Sequence, residues 1–160
     1  MAQISRRHFL TATLVTTAAG IGAAASALPG APAGEAAIPV SHLMQPAQLG
    51  RILRGTGSKP LILQVGFRVL YNESHIPGAE FAGPAGEPAG LALLRAQVKS
   101  LPPGQPIVIY CGCCPWSHCP NIRAAYAALV QLGFTNAQAL YIAQNFGADW
   151  IQPGYPVAAA

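Results

Sequence analysis

The chain has 160 residues, of which 52% are hydrophobic and 9% charged, with a formal net charge of +4. So much apolar material supports a packed core and excludes an intrinsically disordered chain. The positive charge is not a nucleic-acid footprint: once Arg6 and Arg7 leave with the N-terminal segment described next, the balance is 7 − 5 = +2, and the remaining basic residues are dispersed without aromatic interleaving.

Ser5-Arg6-Arg7-His8-Phe9-Leu10 has the form of a twin-arginine export motif, followed by an uncharged stretch to Ala27. That stretch is richer in Thr, Ala and Gly than in Leu, Ile and Phe, which makes a stable membrane span a poor reading. Ala25-Ser26-Ala27 offers a cleavage site, with Ala31-Pro32-Ala33 the second choice. The expected organisation is a signal peptide over 1–27, a Pro/Gly/Ala linker over 28–40, one domain over 41–157 and a tail at 158–160. Export through the twin-arginine route implies a periplasmic or otherwise exported protein, with the Tat translocase as a transient partner.

Pro46 is predicted to open a helix running to Arg54, with Leu49, Ile52 and Leu53 on one face and Gly55-Thr56-Gly57 ending it. Leu61–Val65 is a continuous apolar run of buried-strand length. After a loop, His75-Ile-Pro-Gly-Ala79 leads into a short strand at Glu80 and Phe81, and a Pro/Gly loop follows over 83–90. Leu91–Val98 has helical spacing and stops before Leu101-Pro-Pro-Gly104. Ile107–Tyr110 is the next buried strand. A helix from about Asn121 to Leu132 turns Ala125, Ala128, Leu129 and Leu132 inward, with Gly133 as its terminating glycine. Ala139–Ile142 reads as the last strand and Phe146–Ile151 as a short final helix. This alternation predicts an α/β domain with a mostly parallel central sheet and helices on both faces. In such sheets the functional crevice lies beyond the carboxyl ends of the strands.

One strand end carries the chemistry. Cys111, Cys113, Cys114 and Cys119 fall directly after Ile107–Tyr110, and the chain has no other cysteine. A structural disulfide framework scatters its cysteines to tie distant segments together; this cluster instead concentrates thiol, thiolate or metal chemistry in one loop. Backbone N–H groups and the positive end of the following helix favour thiolate over thiol and attract anions. Arg123 adds a fixed positive charge in that helix's first turns. Cys111, at the strand end, is the expected nucleophile. Cys119 is the alternative nucleophile or a resolving thiol, and Cys113 and Cys114 are further partners for a disulfide.

Several segments resemble the rhodanese sulfurtransferases. Leu61–Val65 followed by His75–Ala79 is similar to that family's first motif, and Ile107–Cys111 to its active-site strand. Arg123–Leu129 resembles the helix that follows, and Asn145-Phe-Gly147, Trp150 and Gly154–Val157 its closing segment. The resemblance covers about residues 41–157, in matching order. It implies a single rhodanese-like domain in which Cys111 takes the outer sulfur of thiosulfate or a similar small sulfur anion, holds it as a persulfide and passes it to a thiol or cyanide. Arg123 and loop positions such as Gly112, Trp116 and His118 would seat the anion, and no cofactor is required.

The chain also departs from that family. Eleven residues separate Cys111 from Arg123, far more than the family's loop places there, and Gln64 and Gly66 stand where an Asp and an Arg are usual. Related phosphatases on this scaffold need an arginine soon after the cysteine, so that activity is set aside. A second reading comes from the loop itself: Cys113, Cys114, His118 and Cys119 supply soft ligands suited to Cu or Zn, or a disulfide redox site. His75 is expected to orient its turn by hydrogen bonding. Trp116 is read as packing or as a lid over the loop.

Overall fold

The computed structural model describes residues 37–159. The expected signal peptide, most of the linker and the last residue lie outside them. Among the described residues no helix is long and apolar enough to cross a membrane.

Five parallel strands form one sheet in the order β1-β5-β4-β2-β3: β1 (Leu43–Met44), β2 (Leu61–Gln64), β3 (Ala79–Phe81), β4 (Ile107–Tyr110) and β5 (Ala137–Leu140). Four helices connect them: α1 (Pro46–Arg54), α2 (Arg68–Glu73), α3 (Pro88–Val98) and α4 (Pro120–Gln131). Pro at the first helical position starts α1, α3 and α4, where the missing N–H has no partner to lose. In α1 the Gln48 side chain also reaches back to accept from the Gln45 N–H at 2.9 Å. Gly133, with φ of +85°, ends α4. The Phe134 N–H then caps Leu129 O at 3.0 Å, a closure that needs a left-handed residue at the glycine.

The central strands β2 and β4 are buried on both sides, and alternate residues feed two separate cores. Leu63, Val65, Ile107 and Ile109 pack with Leu94 and Val98 of α3 and with Ile122, Ala125 and Leu129 of α4. Ile62, Val108 and Tyr110 pack on the other face with Leu49 of α1 and with Trp150. Trp150 lies in a π-helical turn, Gly147–Ile151, and its indole donates to Pro156 O at 2.8 Å.

Three expectations need correction. α2 stands where a loop was predicted, since all its side chains remain at least partly exposed and carry no apolar periodicity. The two-residue β1 escaped notice because its pairing with β5, not its composition, makes it a strand. Leu132 is 42% exposed; α4 ends one residue earlier, and Phe134 turns into the core instead.

Candidate functional site

The end of β4 delivers Cys111 to the floor of a cleft of about 420 Å³. Gln64 at the end of β2, Leu70 and Glu73 from α2, and Asn145 and Phe146 before the π-helical turn line it together with Gly112 and Cys113. This is the crevice position that the parallel sheet dictates.

Gly112 takes φ of +76°, turning the chain so that Cys111 and Cys113 face one another. A side chain there would strike Phe146 at 2.7 Å, and the Gly112 carbonyl accepts from the Phe146 N–H at 3.0 Å. Farther along, Trp116 donates its N–H to Ala143 O at 3.0 Å and its ring packs on Tyr141 at 5.1 Å. The long loop is pinned at both points to the chain following β5. Trp116 settles as packing against the core cluster. His118 is exposed, its Nδ1 2.8 Å from Ser117 Oγ.

The loop folds back so that the sulfurs of Cys111, Cys113 and Cys119 all lie within 4.8 Å of one another. Cys111 and Cys113 are in contact at 2.9 Å, and Cys113 Sγ lies 3.4 Å from Cys114 Sγ. All four are free thiols or thiolates. Cys119 occupies the capping position of α4, and Cys114 turns toward His118 O at 3.9 Å. The soft-ligand set is thus Cys111, Cys113 and Cys119; Cys114 and His118, expected among the ligands, are outside it, and Cys111 takes their place.

The hydrogen bonds among the sulfurs shift their pKa values in opposite directions. Hydrogen bonds from the Cys111 and Cys119 thiols hold Cys113 far below the ordinary thiol range, and Cys114 and Asn121 add to the effect. The same bond, seen from its donor, pushes Cys111 up to about 11, against the lowering influence of Cys119 and Asn121. Cys119 is raised for the same reason, as donor to both. Strand-end position predicted Cys111 as the nucleophile; in the folded loop Cys113 lies in contact with it and is the more exposed of the pair.

Asn121 was missed by the sequence reading. It is 4% exposed, and its Nδ2 reaches Cys111 Sγ at 3.4 Å and Cys113 Sγ at 3.8 Å while its Oδ1 accepts from the Gly86 N–H at 2.8 Å. The signal was present: 121, 125, 128 and 129 share the inward face of α4, and a polar residue on such a face requires partners. Gly66 was noted only as a departure. Its missing side chain makes room for the cluster, since a Cβ there would lie 2.9 Å from Cys111 Sγ and from Gln64 Nε2. Gln64, 2% exposed, leaves its Oε1 without a partner among the described residues.

Arg123 donates to Ser117 O at 3.1 Å and is not among the residues lining the cleft. It braces the loop from outside the crevice, whereas an anion ligand was expected there. Among the described residues, Glu73 is the one acidic or basic side chain other than cysteine that lines it.

A family model described as a Rhodanese-like domain matches residues 46–142. No curated protein matches the sequence. Among solved structures, the rhodanese-like domain of the Alr3790 protein from Anabaena sp. is 22% identical, with a TM-score of 0.58 over 74% of this chain and 80% of that one. The BH2092 protein from Bacillus halodurans is likewise 22% identical, with a TM-score of 0.58 over 74% and 77% of the two chains. Wild-type EanB is 20% identical with a TM-score of 0.51, covering 72% of this chain but 27% of its own. At these identities the likeness speaks for the fold.

Proposed function

The chain belongs to the rhodanese-like domain family, and on that premise we propose that it is an exported sulfurtransferase that carries sulfane sulfur as a cysteine persulfide on Cys113. The single observation that carries this reading is the sulfur pair lining the cleft, where Cys113, the more exposed of the two, lies 2.9 Å from Cys111 Sγ. A thiolate formed in advance needs no general base. It attacks the outer sulfur of thiosulfate or a similar donor, the sulfur–sulfur bond of the donor breaks, and sulfite leaves with the bonding pair. The resulting persulfide passes its terminal sulfur to a thiol or to cyanide. Because the described residues lining the cleft include the Glu73 carboxylate and no Lys or Arg, a singly charged organic persulfide should serve as donor better than dianionic thiosulfate.

Intact-mass measurement of the reduced protein after incubation with a sulfane donor tests this. One added sulfur atom, removed by reductant and absent in Cys113→Ser, is expected. Full loading of Cys113→Ser would move the nucleophile back to Cys111, and no loading of the native chain would end the transferase reading. Export is tested by fractionation of cells expressing the full chain: retention in the cytoplasm on replacing Arg6 and Arg7 by Lys is expected.

A second reading is favoured by the three clustered sulfurs, a donor set suited to Cu(I) or Zn. Cys111, Cys113 and Cys119 would hold the ion, which would occupy the same sulfurs that the transfer reaction needs. Stoichiometric metal in the protein as purified from the exported fraction, lost in Cys119→Ser, would support it.

A further inference from the structure

We propose that Cys111 resolves the persulfide formed on Cys113, so that the loop releases its sulfur as sulfide and closes as a Cys111–Cys113 disulfide. This deepens the transferase reading and rests on it: the acceptor becomes a dithiol reductant and the product inorganic sulfide.

Two features point to it. First, the two sulfurs are already in contact at 2.9 Å, with only Gly112 between the residues, and the φ of +76° at that glycine holds the turn which keeps them face to face. A disulfide requires the sulfurs to come to about 2.05 Å, a closure of less than an ångström. Second, the pair is enclosed. Gly66 leaves just enough space beside Cys111 Sγ, and Asn121 donates to both sulfurs from the other side. A persulfide on Cys113 therefore lies against Cys111 before any external acceptor reaches it.

The steps balance. In the first, the Cys113 thiolate bonds to the outer sulfur of the donor, which for thiosulfate expels sulfite and leaves Cys113–S–S⁻. In the second, Cys111 sulfur bonds to Cys113 Sγ, the bond from Sγ to the terminal sulfur breaks, and that sulfur departs with the electron pair and the Cys111 proton as HS⁻. The sulfane sulfur is reduced by two electrons, and the two cysteines are oxidised to the disulfide. In the third, an external dithiol reduces the disulfide by exchange and is itself oxidised, restoring the pair. Cys119, whose sulfur also belongs to the cluster, acts here as a hydrogen-bond donor and is not consumed.

The test is a single turnover with the full folded chain, reduced, freed of reductant and kept anaerobic, using a small organic persulfide and, separately, thiosulfate. The expected result is about one equivalent of sulfide per protein, a mass lower by two hydrogens, and a Cys111–Cys113 disulfide in peptide mapping. Cys111→Ser should keep one added sulfur and release no sulfide, and Cys111→Ala serves as a second variant should serine distort the buried position. Three results would overturn the inference. A native chain that retains the added sulfur and releases none leaves the transferase reading standing alone. A disulfide mapped between Cys113 and Cys119 assigns resolution to the wrong thiol. Failure of the native chain to acquire sulfur or release sulfide from either donor removes the transferase reading along with it.

Discussion

The His75–Ala79 turn and the Cys111–Cys119 loop are the two most distinctive motifs of the chain, yet the fold treats them in opposite ways. His75 is buried, and its Nδ1, N–H and carbonyl are all engaged with the main chain. Its Nδ1 meets Tyr71 O at 2.8 Å, its ring stacks on Tyr71 at 4.1 Å, and its N–H and carbonyl pair with Ala158 at 2.8 and 2.9 Å. The next N–H, of Ile76, donates to the Tyr110 hydroxyl at 3.2 Å. In the cysteine loop the sulfurs are instead satisfied chiefly by one another and by Asn121. A group bonded to backbone has one stable arrangement, whereas sulfurs that share protons can exchange them and their bonds. The first motif is a clamp, and the second is the reactive element under the proposed function.

Substitutions can break or sharpen that contrast. The largest effect is expected from Gly66→Ala. The new methyl group meets Cys111 Sγ and Gln64 Nε2 at 2.9 Å and must push the cluster apart, and overpacking of this kind costs about 1–3 kcal/mol. Sulfur loading should fall by at least tenfold on this account, and denaturant unfolding should show the accompanying loss of stability. Unchanged loading would mean that the Cys111–Cys113 contact is not needed.

Asn121→Ala comes next. It removes the amide from both sulfurs and leaves the Gly86 N–H without its acceptor, at about 1–3 kcal/mol. Its more telling consequence is in pH dependence. With Cys113 depressed, its alkylation rate in the native protein should be nearly flat from pH 6 to 8, while an ordinary thiol with a pKa of about 8.5 rises almost tenfold per unit. Linkage gives the same sign: the stability that Cys113 contributes is present above the unfolded thiol pKa and is lost as pH falls toward its folded value. That of Cys111, raised to about 11, is present below the unfolded pKa and lost as pH climbs through the folded one. In Asn121→Ala the flat alkylation profile should tilt toward the ordinary slope.

His75→Phe should separate clamp from chemistry. Ring stacking on Tyr71 is retained while the hydrogen bond to Tyr71 O is lost, so a destabilisation of about 1–2 kcal/mol is expected. Sulfur loading per folded molecule should be unchanged, and a large loss of loading would give the turn a catalytic part. The smallest effect belongs to Arg123→Gln. The loop loses a donor to Ser117 O but no wall of the cleft, so the KM for thiosulfate should rise less than threefold. A rise above tenfold would restore Arg123 as the anion's seat.

How far the sequence could be read follows from the range of the forces involved. The apolar runs Leu61–Gln64 and Ile107–Tyr110, the helical spacing of Pro46–Arg54 and Pro120–Gln131, and the glycine at 133 each announce their structure locally, because periodicity and backbone freedom are properties of neighbours in the chain. The parallel sheet follows from their alternation, and the reactive loop from the clustering of four cysteines in one segment. β1 and α2 had no such local mark; their place depends on the strand or crevice they meet. The same holds for the chemistry. That a sulfur would be ionised could be inferred from the loop's composition, but which one could not. Proton sharing is fixed by ångström-scale distances among Cys111, Cys113, Cys119 and Asn121, by the space left at Gly66 and by the turn at Gly112. Those distances exist only once segments far apart in the chain have been packed against the end of one strand.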